Sequence, residues 1–237
     1  MTGAEKTLRA EFDLLADEYA QQHATNIAIT GEGPEYFAEY KIADLRGYVR
    51  AHGLAAANIL DFGCGIGNSV PFFRKYFGAS ALNCGDVSAR SIEIAQTRFP
   101  GPENHILIGD NIPLETGSQD IVFTACVLHH IPHEAHDHWL RELRRVTKPG
   151  GLLAIYEHNP LNPLTVRAVN TCPFDANARL IRAGVMRARV TQTGWAQAGA
   201  DYKLFFPAAL KALRVLEPHL GWLALGAQYR VVARCPG

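Results

Sequence analysis

The chain has 237 residues, 48% of them hydrophobic, with Lys+Arg and Asp+Glu both at 23. That length suits one α/β unit with a sizeable core, and a formal net charge of zero argues against a long polyanion as substrate, since nucleic-acid binders carry a basic excess or stripe. Five scattered cysteines (Cys64, Cys84, Cys126, Cys172, Cys235) form no CxxC pair, which excludes a structural zinc pattern and fits a reducing cytosol; with no apolar leader and no ~20-residue apolar run, a cytoplasmic protein without a membrane span is expected.

Residues 1–55 read as a helical cap. Leu8, Phe12, Leu15 and Tyr19 stand at helical spacing, Gly31, Gly33 and Pro34 interrupt, and a second helix is expected over about 36–52. Tyr19, His23, Tyr36, Tyr40 and Lys41 are candidates for a lid, because aromatics with polar tips suit a site that closes. Packing of a cap helix explains them equally well.

From residue 56 onward strands and helices alternate. Strand one covers 59–62 and a helix 68–77. Strand two covers 81–87, and Ser88 is an N-cap for a helix over 89–99. Strand three is 105–109, strand four 120–127, and a helix runs over 134–146. Pro149-Gly150-Gly151 is a turn before strand five, 152–157. This alternation predicts parallel pairing in a layered α/β sheet. Beyond it, strands over 201–206 and 228–234 flank a helical segment, 208–217, and the final strand suits antiparallel insertion.

The sharpest local signal is Ile59-Leu60-Asp61-Phe62-Gly63-Cys64-Gly65-Ile66-Gly67-Asn68. Alternate glycines after a strand leave the inner side of the turn bare, so a ligand can approach the backbone. The next helix presents its free N–H groups there. Asp61 can order the loop or reach an ammonium through water. Asp86, at the end of strand two, can take both ribose hydroxyls, and Asp110, after strand three, can accept from an adenine amino group. A nicotinamide fingerprint requires a third glycine at position 68, where Asn68 stands.

Over about residues 57–158 the chain resembles the class I S-adenosylmethionine-dependent methyltransferases. The resemblance is carried by ILDFGCGIGN, NCGDVSARSIEIA, IGDNIPLETGSQDIVFTACVLHHI and LRRVTKPGGLLAIYEHNP. It implies a Rossmann-like seven-stranded α/β sheet of order 3-2-1-4-5-7-6, strand seven antiparallel, with helices on both faces. It also implies S-adenosyl-L-methionine as cofactor. Asp86 is then expected at the ribose, and Asp110 or its neighbour Asn111 at the adenine, with Val87 and Ile112 as further cofactor-binding candidates. Gly63 and Gly65 are expected beside the methionine part, Asp61, Cys64 and Asn68 are further cofactor-binding candidates, and Cys126, Val127 and Leu128, just past strand four, are expected near the methionine or adenine side. Cys64 fills a position that varies in the family, so no redox role is read into it.

On the acceptor side the sequence offers His129-His130-Ile131-Pro132-His133-Glu134-Ala135-His136-Asp137-His138. Its spacing matches no zinc-binding pattern, and no metal is expected. His129 directly follows strand four and is the first candidate for a general base, its ordinary pKa lying near neutrality. Glu157 and His158 end strand five as further catalytic candidates. Being adjacent on a strand, they point to opposite faces, so one of them is expected to face the site. EHNPLNPLT and NTCPFDANA resemble a recurring signature of one methyltransferase subgroup. The Asn/Asp-Pro-Pro-aromatic motif of amine methylation is absent after strand four, where ACVLHH stands. The expectation is therefore O-methylation of a small-molecule or saccharide-like acceptor, with no nucleic acid as partner and the oligomeric state open. A nicotinamide-dependent oxidoreductase and a non-catalytic S-adenosylmethionine-binding module stay open as alternatives.

Overall fold

The computed structural model describes residues 30–237. The candidates Leu8, Phe12, Leu15, Tyr19 and His23 lie outside the described residues. Helix α1 (Pro34–Ala51) leads into β1 (Asn58–Phe62), α2 (Val70–Phe77), β2 (Ala81–Asp86), α3 (Ala89–Arg98) and β3 (Asn104–Leu107). Then come β4 (Gln119–Ala125), α4 (His136–Val146), β5 (Thr147–His158), α5 (Pro163–Thr171), α6 (Ala183–Gln192), β6 (Ala196–Lys203) and β7 (Gln228–Arg234).

The strands form one seven-stranded sheet of order β3-β2-β1-β4-β5-β7-β6. β1 to β5 pair in parallel, and β7 runs antiparallel to both β5 and β6. This is the order that the family resemblance implied. Successive side chains on a strand face opposite ways, so each central strand feeds two cores. On β1, Ile59 joins one core and Leu60 the other; on β4, Ile121 and Phe123 oppose Val122; on β5, Leu152 and Ala154 oppose Leu153 and Ile155. Burying each large aliphatic or aromatic side chain stabilises the sheet by roughly 1.5–3 kcal/mol.

Helix α1 is part of this construction. Its Ile42, Leu45 and Val49 pack with Ile59, Phe73 and Phe123. Asp44 of α1 accepts from Tyr156 Oη at 2.7 Å, Arg230 Nη1 at 2.8 Å and Lys203 Nζ at 2.9 Å, tying the helix to β5, β7 and β6. Lys41, one turn earlier on α1, is thereby held at the sheet's edge.

Several boundaries differ from the sequence expectation for identifiable reasons. β5 begins at Thr147, before the Pro-Gly-Gly turn: Gln119 pairs with Thr147, and a register shift before Ile121 absorbs the glycines as a bulge. β6 ends at Lys203 because Leu204 adopts φ 62° and turns the chain out of the ladder. The segment 208–219 is 3₁₀ rather than α-helical and contains Pro218. α5 was not expected, yet its signal is the dipeptide Asn162-Pro163: the Asn162 side chain caps the Leu164 and Thr165 N–H groups, and Pro163 opens the helix. α6 was also not expected; it buries only Ala183, Met186 and Val190, too short an apolar stripe to stand out.

Candidate active site

A cavity of about 610 Å³ opens at the C-terminal ends of β1, β2, β4 and β5, where Asp61, Asp86, Ala125 and His158 line it. Ligands of open α/β sheets bind at this edge.

The glycine turn forms one wall. Gly63 and Cys64 donate their N–H groups to the Gly85 carbonyl at 2.8 and 3.1 Å, which carries the β1–β2 pairing into the loop. Gly63 and Gly65 have φ of 77° and 52°, in the left-handed region that favours glycine. A Cβ at Gly63 would lie 2.3 Å from Val127 Cγ2, whereas a Cβ at Gly65 would meet nothing within 4 Å. Gly63 is thus bare for packing, and Gly65 leaves open space beside the cavity.

Asp86 organises the same wall. Its Oδ2 accepts from Gly65 N–H at 2.8 Å and its Oδ1 from Ser88 N–H at 2.9 Å. Ser88 in turn caps α3 by accepting from Ser91 N–H at 3.0 Å, as its sequence position suggested. Asp61 is 2% exposed, and its Oδ2 has no hydrogen-bond partner. Burial, reinforced by the Asp86 charge and opposed by Lys41, pushes its pKa up to about 7.

Opposite stands a wall of imidazoles. After β4 the chain turns at Cys126, whose φ is 58° and whose N–H donates to the Tyr156 carbonyl at 2.8 Å. Glu157 lies beneath this turn. Its Oε1 accepts from the Val127 and Leu128 N–H groups at 3.0 and 2.7 Å, and its Oε2 lies 2.5 Å from His129 Nδ1. His129 Nε2 points toward Asp175, 3.7 Å from Oδ1, and His130 Nε2 lies 3.4 Å from the same oxygen. The segment bearing Asp175 is fastened by Arg179 N–H, which donates to the His129 carbonyl at 2.8 Å. The His158 ring lies tilted by 49° against that of His129, with centroids 5.2 Å apart.

Charge is sorted within this wall. Burial alone would lower the pKa of His129, but the carboxylates of Glu157 and Asp175 outweigh it and raise it to about 10. Burial, followed by the positive charge on His129, depresses His130 to about 3 and His158 to about 4. One imidazolium therefore sits between two carboxylates, flanked by two neutral imidazoles.

Most sequence-derived candidates meet here. Asp61, Gly63, Cys64, Gly65, Asn68, Asp86, Val87, Asp110, Cys126, Val127, His129 and His158 all line the cavity. Others do not. Ile112 is buried in the core, its N–H bound to Glu142 Oε2 at 3.1 Å, and its neighbour Asn111 is exposed outside the cavity. Glu157 is the inward partner of the adjacent pair and supports the loop, while His158 faces the cavity. The two carboxylates hold His129, the first candidate for the base, above the neutral range that suggested that role.

The histidine run divides by tertiary role. His136 Nε2 meets the Leu128 and Ile131 carbonyls, both at 2.9 Å, and His138 Nε2 meets the Asp110 carbonyl at 2.8 Å. Of the lid candidates, Tyr36 and Lys41 line the cavity, while Tyr40 Oη donates to Glu217 Oε2 at 3.3 Å. Asp175, His130 and Gln228 also line it without having been assigned roles from sequence. Asp175 lies inside NTCPFDANA, the stretch that stood out as a signature.

A sheet of this order, with a glycine turn after β1 and an acid at the end of β2, defines a class I methyltransferase fold. Residues 59–151 match the methyltransferase domain family. Trans-aconitate 2-methyltransferase of Methylobacterium nodulans is 31% identical over 140 residues, 57% of this chain and 52% of that protein. Norajmaline N-methyltransferase of Rauvolfia serpentina is 30% identical over 114 residues, 45% of this chain and 38% of that protein. The match thus spans only about half or less of the curated relatives' length. A Thermotoga maritima structure described as a methyltransferase and possible histamine N-methyltransferase superposes with TM-score 0.65 at 16% identity, covering 96% of this chain and 99% of that one, a likeness of fold. Residues 59–151 are thus a methyltransferase domain, and S-adenosylmethionine is the cofactor that its resemblance to the class I enzymes implies.

The residues present fit that cofactor. The buried, unpartnered Asp61 Oδ2 offers an acceptor for a cationic group, the bare Gly65 lets a ligand approach the backbone, and Val87 and Ile108 line an apolar stretch of the cavity beside Asp110.

Proposed function

We propose that the protein methylates a hydroxyl oxygen of a small, saccharide-like molecule, with Asp61, Gly63, Gly65, Asp86 and Asp110 holding the cofactor. The observation that carries this reading is that the glycine wall and the imidazole wall face one cavity. When bound, the cofactor supplies an already activated sulfonium methyl. The chain's own task is then to hold the acceptor oxygen in line with it, and proximity and orientation account for much of such a rate.

His158, neutral and facing the cavity, is placed to accept the hydroxyl proton on a ring nitrogen. His129 and Glu157 act as positioning residues, fixing the turn that carries Cys126 and Val127. Balanced charge supports a small acceptor over a polyanion, and two of the relatives are named for small molecules, norajmaline and trans-aconitate.

The test is calorimetric titration with S-adenosylhomocysteine and NADH, followed by an acceptor screen that pairs hydroxyl compounds with the corresponding amines. Micromolar binding of S-adenosylhomocysteine alone, with methyl transfer confined to hydroxyl compounds, is expected. Transfer to the amines, or to RNA, would replace the acceptor assignment. Binding of NADH instead would remove the cofactor assignment.

A further inference from the structure

We propose that His129, His130 and Asp175 form a binding site for one first-row divalent transition-metal cation on the acceptor side of the cavity. The nearest nitrogens of the two imidazoles and a carboxylate oxygen of Asp175 all lie within 4.8 Å of one another. Ligand atoms at ordinary zinc distances of 2.0–2.1 Å in a tetrahedron are about 3.3 Å apart. The observed 3.4 Å and 3.7 Å separations to Asp175 come within a few tenths of an ångström of that, and the two imidazole nitrogens lie within 4.8 Å of each other. Two imidazoles and one carboxylate on one side of a cation, with the remaining positions open, are the donor set of non-haem iron and catalytic zinc centres. Magnesium and calcium prefer oxygen throughout.

A second, independent observation points to a ligand. His129 is 1% exposed, and its Nε2 is buried with no hydrogen-bond partner. That nitrogen is directed at Asp175, and a cation bound there would displace its proton, while Nδ1 is engaged by Glu157, itself held by two backbone N–H groups. A carboxylate behind a ligating histidine fixes its tautomer and orientation, and such partners typically account for ten- to hundredfold in metal affinity. The neighbouring His136 and His138 are diverted to backbone carbonyls. The sequence spacing gave no metal pattern because the third donor arrives from a distant segment.

All three residues line the cavity, so the open positions of the cation would face the acceptor. There it would bind the acceptor hydroxyl and lower its pKa. This role rests on the hydroxyl reading proposed above, whereas cation binding does not.

The test uses the untagged full chain, stripped with EDTA and titrated with Co²⁺ while visible absorption and heat are recorded. One equivalent should bind at micromolar Kd or tighter, be displaced by Zn²⁺, and resist Mg²⁺. Asp175→Asn and His130→Gln should each weaken binding at least tenfold while retaining S-adenosylhomocysteine affinity, which reports intact folding; both leave the Glu157–His129 pair in place. His133→Gln should change nothing. No saturable Co²⁺ binding, or binding indifferent to Asp175→Asn and His130→Gln, would overturn the site. Tight Co²⁺ binding without transfer to hydroxyl compounds would uphold the site and remove the hydroxyl reading instead.

Discussion

The Gly65 N–H donates to Asp86 Oδ2 across 2.8 Å, so the carboxylate assigned to the ribose also holds the glycine turn in shape. Removing it should therefore damage binding and stability together. Asp86→Ala leaves the Gly65 and Ser88 N–H groups without their charged acceptor, a loss of about 2–3 kcal/mol. S-adenosylhomocysteine affinity should fall at least tenfold. Asp86→Asn, which keeps one carbonyl acceptor, should retain more of the stability than of the affinity. Calorimetry beside urea denaturation checks both; unchanged affinity in Asp86→Ala would end the ribose assignment.

The two glycines flanking Cys64 should respond differently to alanine. At Gly63 the new methyl collides with Val127 and φ is positive, so Gly63→Ala should cost about 2–4 kcal/mol and displace the turn after β4. At Gly65 only the positive φ is penalised, about 1–2 kcal/mol, because the space is open. Gly65→Ala should stay folded at 25 °C yet bind S-adenosylhomocysteine at least tenfold more weakly, since its methyl occupies the approach to the backbone. If Gly65→Ala binds normally, the ligand does not pass over that residue.

Asp61 links cofactor affinity to pH. Burial and the charge of Asp86 raise its carboxyl from 3.8 to about 7, so below neutrality the free protein holds a proton there. A ligand bearing an ammonium favours the ionised form, and binding below pH 7 must release that proton. Affinity for S-adenosylhomocysteine should therefore weaken by up to tenfold per unit below about pH 7 and level off above it. The sign for folding is the opposite. A raised carboxyl pKa favours the folded state fully below 3.8, and this contribution is lost as pH rises through 7. Asp61→Asn should thus flatten the binding profile, weaken binding at pH 8, and raise Tm at that pH. A Tm lowered at pH 8 would mean that Asp61 has a partner in the folded protein.

These relationships were legible in the sequence to different depths. The sheet and the glycine turn were readable because their signals are local: the apolar run of Ile59-Leu60, the alternate glycines, and the acids at strand ends. Glu157 and His158 were separable in principle by strand alternation, but which of them faced the cavity depended on the turn at Cys126 folding over Glu157. Ile112 was misplaced because the loop after β3 buries it in the core, with its N–H on Glu142 of α4. Asp175 was illegible for a further reason. α5 and the Arg179 N–H bond to the His129 carbonyl carry it to the histidines, and no local pattern encodes a contact made by a distant loop.

Glu157 offers the most direct test of how the imidazole wall is supported. It is 1% exposed and accepts from Val127 N–H and Leu128 N–H while pairing with His129. Removing one partner of a buried charged pair costs about 3–5 kcal/mol, because the remaining groups lose their acceptor without regaining water. Glu157→Ala should fall in that range in urea denaturation. Glu157→Gln keeps a carbonyl for the two backbone N–H groups but turns an NH₂ toward His129, and should fall between the alanine variant and the wild-type protein. His158→Ala, which removes none of these hydrogen bonds, should cost less stability than either while slowing methyl transfer to a hydroxyl acceptor at saturating cofactor. If instead Glu157→Gln matched the wild-type protein in stability and His158→Ala matched it in rate, the wall would be packing alone, and the residue that takes the acceptor's proton would have to be sought elsewhere along the cavity.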